Sequence, residues 1–285
     1  MAIVERLPHN DELALDGPVS RFPQLTLETV DASLPTTELL AAATVSNRLE
    51  LVAVLEARGD ESDRTAMIET ALHGNLAAQH AAYQALGRLG DKRLVARAIT
   101  LFEAHAADPK RARTQARERL GPGCYLEALG TEVVLSLARR WFDAAFPKRL
   151  LAARILVVHA EPDDGPMALR ALRDAWREGD MYRLCDCIEI LTTAEHWQAV
   201  DDIARLDAEV PYSYARQRTT DFLVRAGVDA HRARLIDALW DCEDEAVLLA
   251  LAHANGAPAV RKRIAELATS PWHHGDVRAE ASRLA

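Results

Sequence analysis

From Thr36 onward apolar residues recur at three- and four-residue intervals, and one to four polar, Gly or Pro positions separate the runs. That spacing places the apolar side chains on one face of a helix. It predicts helices over 36–57, 61–73, 76–89, 91–106, 109–120, 131–146, 148–160, 165–178, 181–192, 195–208, 212–226, 229–241, 244–254, 257–269 and 276–284. Connections this short make sequential helices antiparallel neighbours. Residues 1–35 break the pattern with four prolines, an Asp16-Gly17-Pro18 turn and an alternation through Leu25, Leu27 and Thr29. They predict an irregular N-terminal arm with a short strand or hairpin, packed on the first helices of a 36–285 repeat domain.

A period runs through the later helices. Trp176-Arg177-Glu178-Gly179-Asp180, Trp240-Asp241-Cys242-Glu243-Asp244 and Trp272-His273-His274-Gly275-Asp276 each read W-x-x-x-D, 64 and then 32 residues apart. Upstream, Leu169/Leu172/Trp176, Ala233/Ile236/Trp240 and Ala265/Ala268/Trp272 share one helix face. The pattern predicts that Trp176, Trp240 and Trp272 close apolar stripes and fill the seams between repeats. Asp180, Asp244 and Asp276 are then the N-caps of the following helices. Trp141 and Trp197 extend the row, which on an open surface would instead stack on a ligand; the period favours packing, since a pocket does not need the same residue in every repeat.

Helix pairs repeating at this interval make an α-solenoid. His80-Ala81-Ala82-Tyr83-Gln84-Ala85-Leu86-Gly87-Arg88-Leu89-Gly90-Asp91 resembles the A-A-x-A-L-G-x-L-G-D core of HEAT-like repeats, and Asp276-Val277-Arg278-Ala279-Glu280-Ala281 is similar to the D-x-V-R-x-x-A that opens them. The period resembles the short, phycobilin-lyase type of HEAT repeat. Two or three repeats match well, while 108–130 and 210–218 depart from the pattern. The resemblance implies an all-α, right-handed α-solenoid of antiparallel helix pairs.

Composition agrees with helix. Alanine and leucine supply 90 of the 285 residues and aromatics 5%, a bias against all-β folds. Arginine outnumbers lysine 30 to 4, the mark of a GC-rich, bacterial genome. A net charge of −9 argues against general polyanion binding, so nucleic acid is not the expected partner. Four cysteines form no disulfide framework, and no apolar run approaches the roughly 18 residues a membrane span needs. The expected setting is the cytoplasm.

Candidate chemistry is sparse. Cys185-x-Cys187 lies within a helix, where i and i+2 diverge too far for one metal. His273-His274 has no third ligand at a suitable spacing. Deoxyhypusine hydroxylases, HEAT-like di-iron enzymes, use His-Glu dipeptides, and this chain has only the reversed Glu195-His196. No nucleophile elbow, Walker loop or dinucleotide turn is present. Gly121-Pro122-Gly123-Cys124 reads as a tight structural turn. No catalytic residue, metal or cofactor is assigned.

Charge is distributed unevenly. Residues 108–154 carry a net +5, against −6 before and −8 after them. Lys110, Arg111, Arg113 and Arg117 lie opposite or beside an Ala112/Ala116/Leu120 stripe, and Arg139, Arg140, Lys148 and Arg149 follow on the next two helices. Together they predict either a basic docking patch for an acidic protein partner or a helix face neutralised by neighbouring carboxylates. The leading functional expectation is a non-catalytic protein–protein interaction scaffold. Two alternatives rest on resemblance: an alkylbase DNA glycosylase-like enzyme, through Trp141-Phe142-Asp143, and a phycobilin-lyase-like enzyme.

Overall fold

The computed structural model describes residues 31–44, 47–107, 121–227, 236–254 and 256–285. Among them are fifteen α-helices, three short 3-10 turns and no strand, so the chain is all-α. Most of the predicted arm, the helix predicted over 109–120 and much of that over 229–241 lie outside these residues. The chain divides into two compact units: Met1–Leu94 with Ala116–Tyr125, and Val95–Gln115 with Leu126–Ala285.

The first unit contains α1 (Thr36–Ala41), α2 (Arg48–Arg58), α3 (Glu61–His73) and α4 (Leu76–Arg88). The single helix predicted over 36–57 is two, and Asn47 shows why. Its side chain accepts from the Thr44 N–H at 2.8 Å and donates to the Ala42 carbonyl at 3.0 Å, competing with the helical ladder at the break. Asp60 and Asn75 cap α3 and α4, accepting from the N–H of Asp63 and Ala78. α3 and α2 both pack on α4, whose Ala81, Ala82 and Ala85 are wholly buried and let neighbouring helices approach closely.

The helix α6 (Gly121–Leu129) corrects the predicted turn at Gly121-Pro122-Gly123-Cys124. Proline lacks the N–H that a first helical turn leaves unbonded anyway, so Pro122 starts the helix. Gly121 lets α6 close on α4: a Cβ there would stand 3.1 Å from Tyr83 Cδ2 and 3.4 Å from His80 Cα.

The second unit holds α5 (Val95–Ala106), the end of α6, α7 (Glu132–Trp141), α8 (Lys148–His159), α9 (Gly165–Glu178), α10 (Met181–Thr193), α11 (Val200–Glu209) and α12 (Ser213–Arg225). It continues with α13 (Asp244–Ala252), α14 (Pro258–Ala268) and α15 (Gly275–Leu284). Helices pair as α7/α8, α9/α10, α11/α12 and α14/α15, and further contacts link α8 to α10, α10 to α12, α12 to α13 and α13 to α15. α9 shows the sequence logic. Ala168, Ala171, Leu172 and Ala175 form its buried i, i+3, i+4, i+7 stripe, and Arg170, Arg173 and Arg177 point outward. Gly179 at φ +73° ends it in the left-handed region, and Asp180 caps α10 by accepting from the Arg183 N–H at 3.1 Å. α10 lies between α8, α9 and α12, so it is buried over a wider arc through Leu184, Cys187, Ile188 and Leu191.

The predicted roles of the W-x-x-x-D motifs hold unevenly. Trp176 is half-buried and Asp180 is a cap. Trp240 is 53% exposed and Trp272 is 91% exposed, so neither fills a seam. The wholly buried Leu239 and Leu267 occupy the core there instead. The reason is local: Trp240 ends a 3-10 turn, and Trp272 stands four residues past the end of α14, off the helical stripe. Asp244 and Asp276 do not cap. Asp244 lies inside the first turn of α13 and reaches the next pair, 2.7 Å from His273 Nδ1 and accepting from the His274 N–H. Asp276 faces His274 at 3.3 Å, one residue after the helix has begun.

Candidate functional site

A cleft in the second unit is formed by α8, α10, α12 and α13. It has a volume of about 440 Å³ and is lined by Val157, Glu189, Thr192, Thr193, Gln217, Arg218, Asp221, Arg225, Glu245 and Leu249. This size is in the range of small-ligand or side-chain pockets. α10 supplies its wall because Tyr182, Asp186, Glu189 and Thr193 recur at i, i+4, i+7 and i+11 on the one polar stripe of a mostly buried helix. α12 answers with Tyr214, Arg218, Asp221 and Arg225 at the same spacing.

Ion pairs organise the lining. Arg218 Nε donates to Glu189 across the α10–α12 seam, and its Nη1 donates to the Tyr214 carbonyl at 3.1 Å. Burial works against the Arg218 charge, but Glu189 outweighs it and keeps the guanidinium pKa above its usual range. Arg225 pairs with Asp221 at 3.0 Å. The hydroxyls of Thr192 and Thr193 donate to the carbonyls of Ile188 (2.8 Å) and Val157 (2.6 Å). Gln217 Oε1 is closed off from solvent without a hydrogen-bond partner. Asp186, one turn before Glu189, has its carboxyl pushed up to about 6, first by burial and then by the Glu189 charge.

An aromatic cluster adjoins the groove at the start of α10 and α12. Tyr182 and Tyr212 meet edge-on at 6.1 Å, Tyr212 and Tyr214 at 5.5 Å. Tyr182 is 72% exposed and Tyr214 42%. Amphipathic rings on an open surface suit recognition of another molecule.

The basic patch is placed differently from the expected cluster. Lys110, Arg111, Arg113 and Arg117 lie outside the described residues. Arg139 donates to Asp164 and Glu161, each at 2.6 Å, and these bonds hold its pKa above the usual guanidinium range. Lys148 pairs with Glu103 at 3.7 Å and stands 5.3 Å over the Trp141 ring; Arg149 pairs with Asp180 at 3.5 Å. Arg140 is exposed and has no ion-pair partner among the described residues. Trp141 and Phe142, which carried the glycosylase resemblance, are buried, and Asp143 pairs with Arg183. They form no open pocket.

A second arrangement lies in the first unit. Buried His80 has Nε2 3.6 Å from Cys124 Sγ and Nδ1 3.2 Å from Arg48 Nη1. Arg48 can only donate, so Nδ1 accepts and the imidazole proton sits on Nε2, facing the sulfur. Burial, then the Arg48 charge, lowers the His80 pKa to about 4 and keeps the ring neutral. This imidazole is therefore a donor toward Cys124 rather than its base.

Cys185 and Cys187 are both buried, with thiols pushed up to about 12 by burial. Among the described residues no three His, Cys, Asp or Glu side chains come together as a metal site, and no helix is long and apolar enough to cross a membrane. No family model matches the chain, and no curated protein is significantly similar to it.

Proposed function

We propose that this chain is a non-catalytic scaffold, a right-handed α-solenoid of HEAT-like helix pairs that holds an extended segment of a partner protein along its second helices. The α8/α10 and α10/α12 contacts support the solenoid reading, since these successive helix pairs meet through equivalent members. The observation that carries the function is the groove. Its charged, hydroxyl and amide groups alternate along two adjacent helices beside three clustered tyrosines. Such a surface offers many shallow polar contacts, as binding an extended chain requires. The cytoplasm is the setting in which such a scaffold with free thiols would work.

Immobilised pools of randomised hexapeptides test this reading, with hydrogen exchange measured on the bound protein. Slowed exchange confined to 181–193, 213–225 and 244–252 is the expected result. Protection elsewhere, or no retention by any pool, refutes it.

A further inference from the structure

The hydrogen-bond inventory of the groove defines what its occupant must bring. Both guanidiniums already answer to carboxylates of the same groove, Arg218 to Glu189 and Arg225 to Asp221. The Thr192 and Thr193 hydroxyl protons are spent on backbone carbonyls, so these oxygens offer lone pairs. Gln217 Oε1 is an acceptor cut off from water and left without a donor. Glu245 is an exposed carboxylate on the rim with no cation partner among the described residues. The surplus is acceptors and negative charge. Tyr182, Tyr212 and Tyr214 add ring faces, which attract cations through their quadrupoles.

We propose that the groove receives a cationic N–H donor, the guanidinium or ammonium of an arginine or lysine side chain carried by the bound segment. This rests on the reading above that the groove holds an extended chain and adds the chemistry it selects. The charged head sits at the rim against Glu245 and the Thr193 oxygen, and the flanking segment runs toward the tyrosines. The partner is thus basic where it touches α10 and α12, the opposite sign from a partner suited to the 108–154 cations.

Positional-scanning hexapeptide pools test it, with one central residue fixed and the others randomised. Pools fixed at Arg or Lys should retain the protein at least tenfold more than pools fixed at Asp, Glu or a neutral residue. A pool fixed at citrulline, which has the shape of arginine without the charge, should fall with the neutral ones. Glu245→Gln should cut the Arg preference threefold or more with unchanged far-UV helicity. Equal retention at every fixed residue, or preference for acids, overturns the cation and leaves the peptide groove standing. Absence of retention by any pool removes both. Displacement by free arginine amide as efficiently as by the Arg pool would assign the site to a small free cation and overturn the side-chain proposal.

Discussion

Arg139→Met separates a cation that holds the fold from one that waits for a partner. Arg139 Nε donates to Asp164 Oδ1 at 2.6 Å, Nη2 to Oδ2 at 3.1 Å, and Nη2 also to Glu161 Oε2 at 2.6 Å. Asp164 is 2% exposed; its other contact is the Glu161 N–H, donating at 2.9 Å. Methionine keeps the apolar stem but leaves a buried carboxylate with one donor. Breaking a buried pair costs about 3–5 kcal/mol, and because the Arg139 side chain is 34% exposed, water relieves part of this, giving about 3 kcal/mol. In a unit of this size that corresponds to a fall in Tm of roughly 6–12 °C. Arg140→Met, one residue away and exposed, should stay within about 0.5 kcal/mol of the parent. Scanning calorimetry reads the loss, and hydrogen exchange of α7 and α9 locates it. Adding Asp164→Asn to Arg139→Met should recover part of the loss, since a neutral amide needs no counter-charge. An Arg139→Met melting curve overlying that of Arg140→Met would refute the reasoning and return Arg139 to the docking patch.

The tryptophans should also separate: Trp141→Ala costs about 3–5 kcal/mol in urea unfolding, because its ring is buried against Phe102, while Trp272→Ala stays within about 0.5 kcal/mol. Acrylamide should quench Trp272 and spare Trp141. The two units should respond oppositely to pH. The Asp186 pKa near 6 lies above its unfolded value, so its ionised form costs stability at neutral pH, on the order of 3 kcal/mol, and the cost is relieved as pH falls from about 7 to 4. The His80 value near 4 lies below its unfolded one, so its contribution is lost over about 6.5 to 4. Exchange protection should therefore rise in 181–193 and fall in 76–88, and Asp186→Asn should abolish the rise; parallel trends would contradict both assignments. Iodoacetamide at pH 8 should label no more than Cys124 and Cys242 in the native protein, since Cys185 and Cys187 are buried with raised pKa values. Intact mass reads the count, and a third adduct without unfolding would show that α10 opens.

Much of the groove was written in α10. Tyr182, Asp186, Glu189 and Thr193 keep helical spacing on a helix whose remaining residues are mostly apolar, and three of the five tyrosines fall between 182 and 214. The W-x-x-x-D period is the more visible signal, because it recurs while a polar stripe on one helix occurs once. Two of its three indoles then proved exposed, since a repeating residue is buried only while the helix beneath it continues. Cys124 and His80 stand 44 residues apart, and no spacing rule joins them; helix α6 packing on α4 does.

The chain by itself determined that it is helical, where most helices begin and end, and that short connections bring sequential helices together. Those properties follow from 3.6-residue periodicity, alanine and leucine content and punctuation by Gly, Pro, Asn and Asp, all read within a few residues. Tertiary structure alone decided which charges are spent on partners, which rings meet solvent, and that Glu189, Gln217 and Glu245 share one groove. Those depend on distances between helices about thirty residues apart, set by the packing of whole faces rather than by any local pattern.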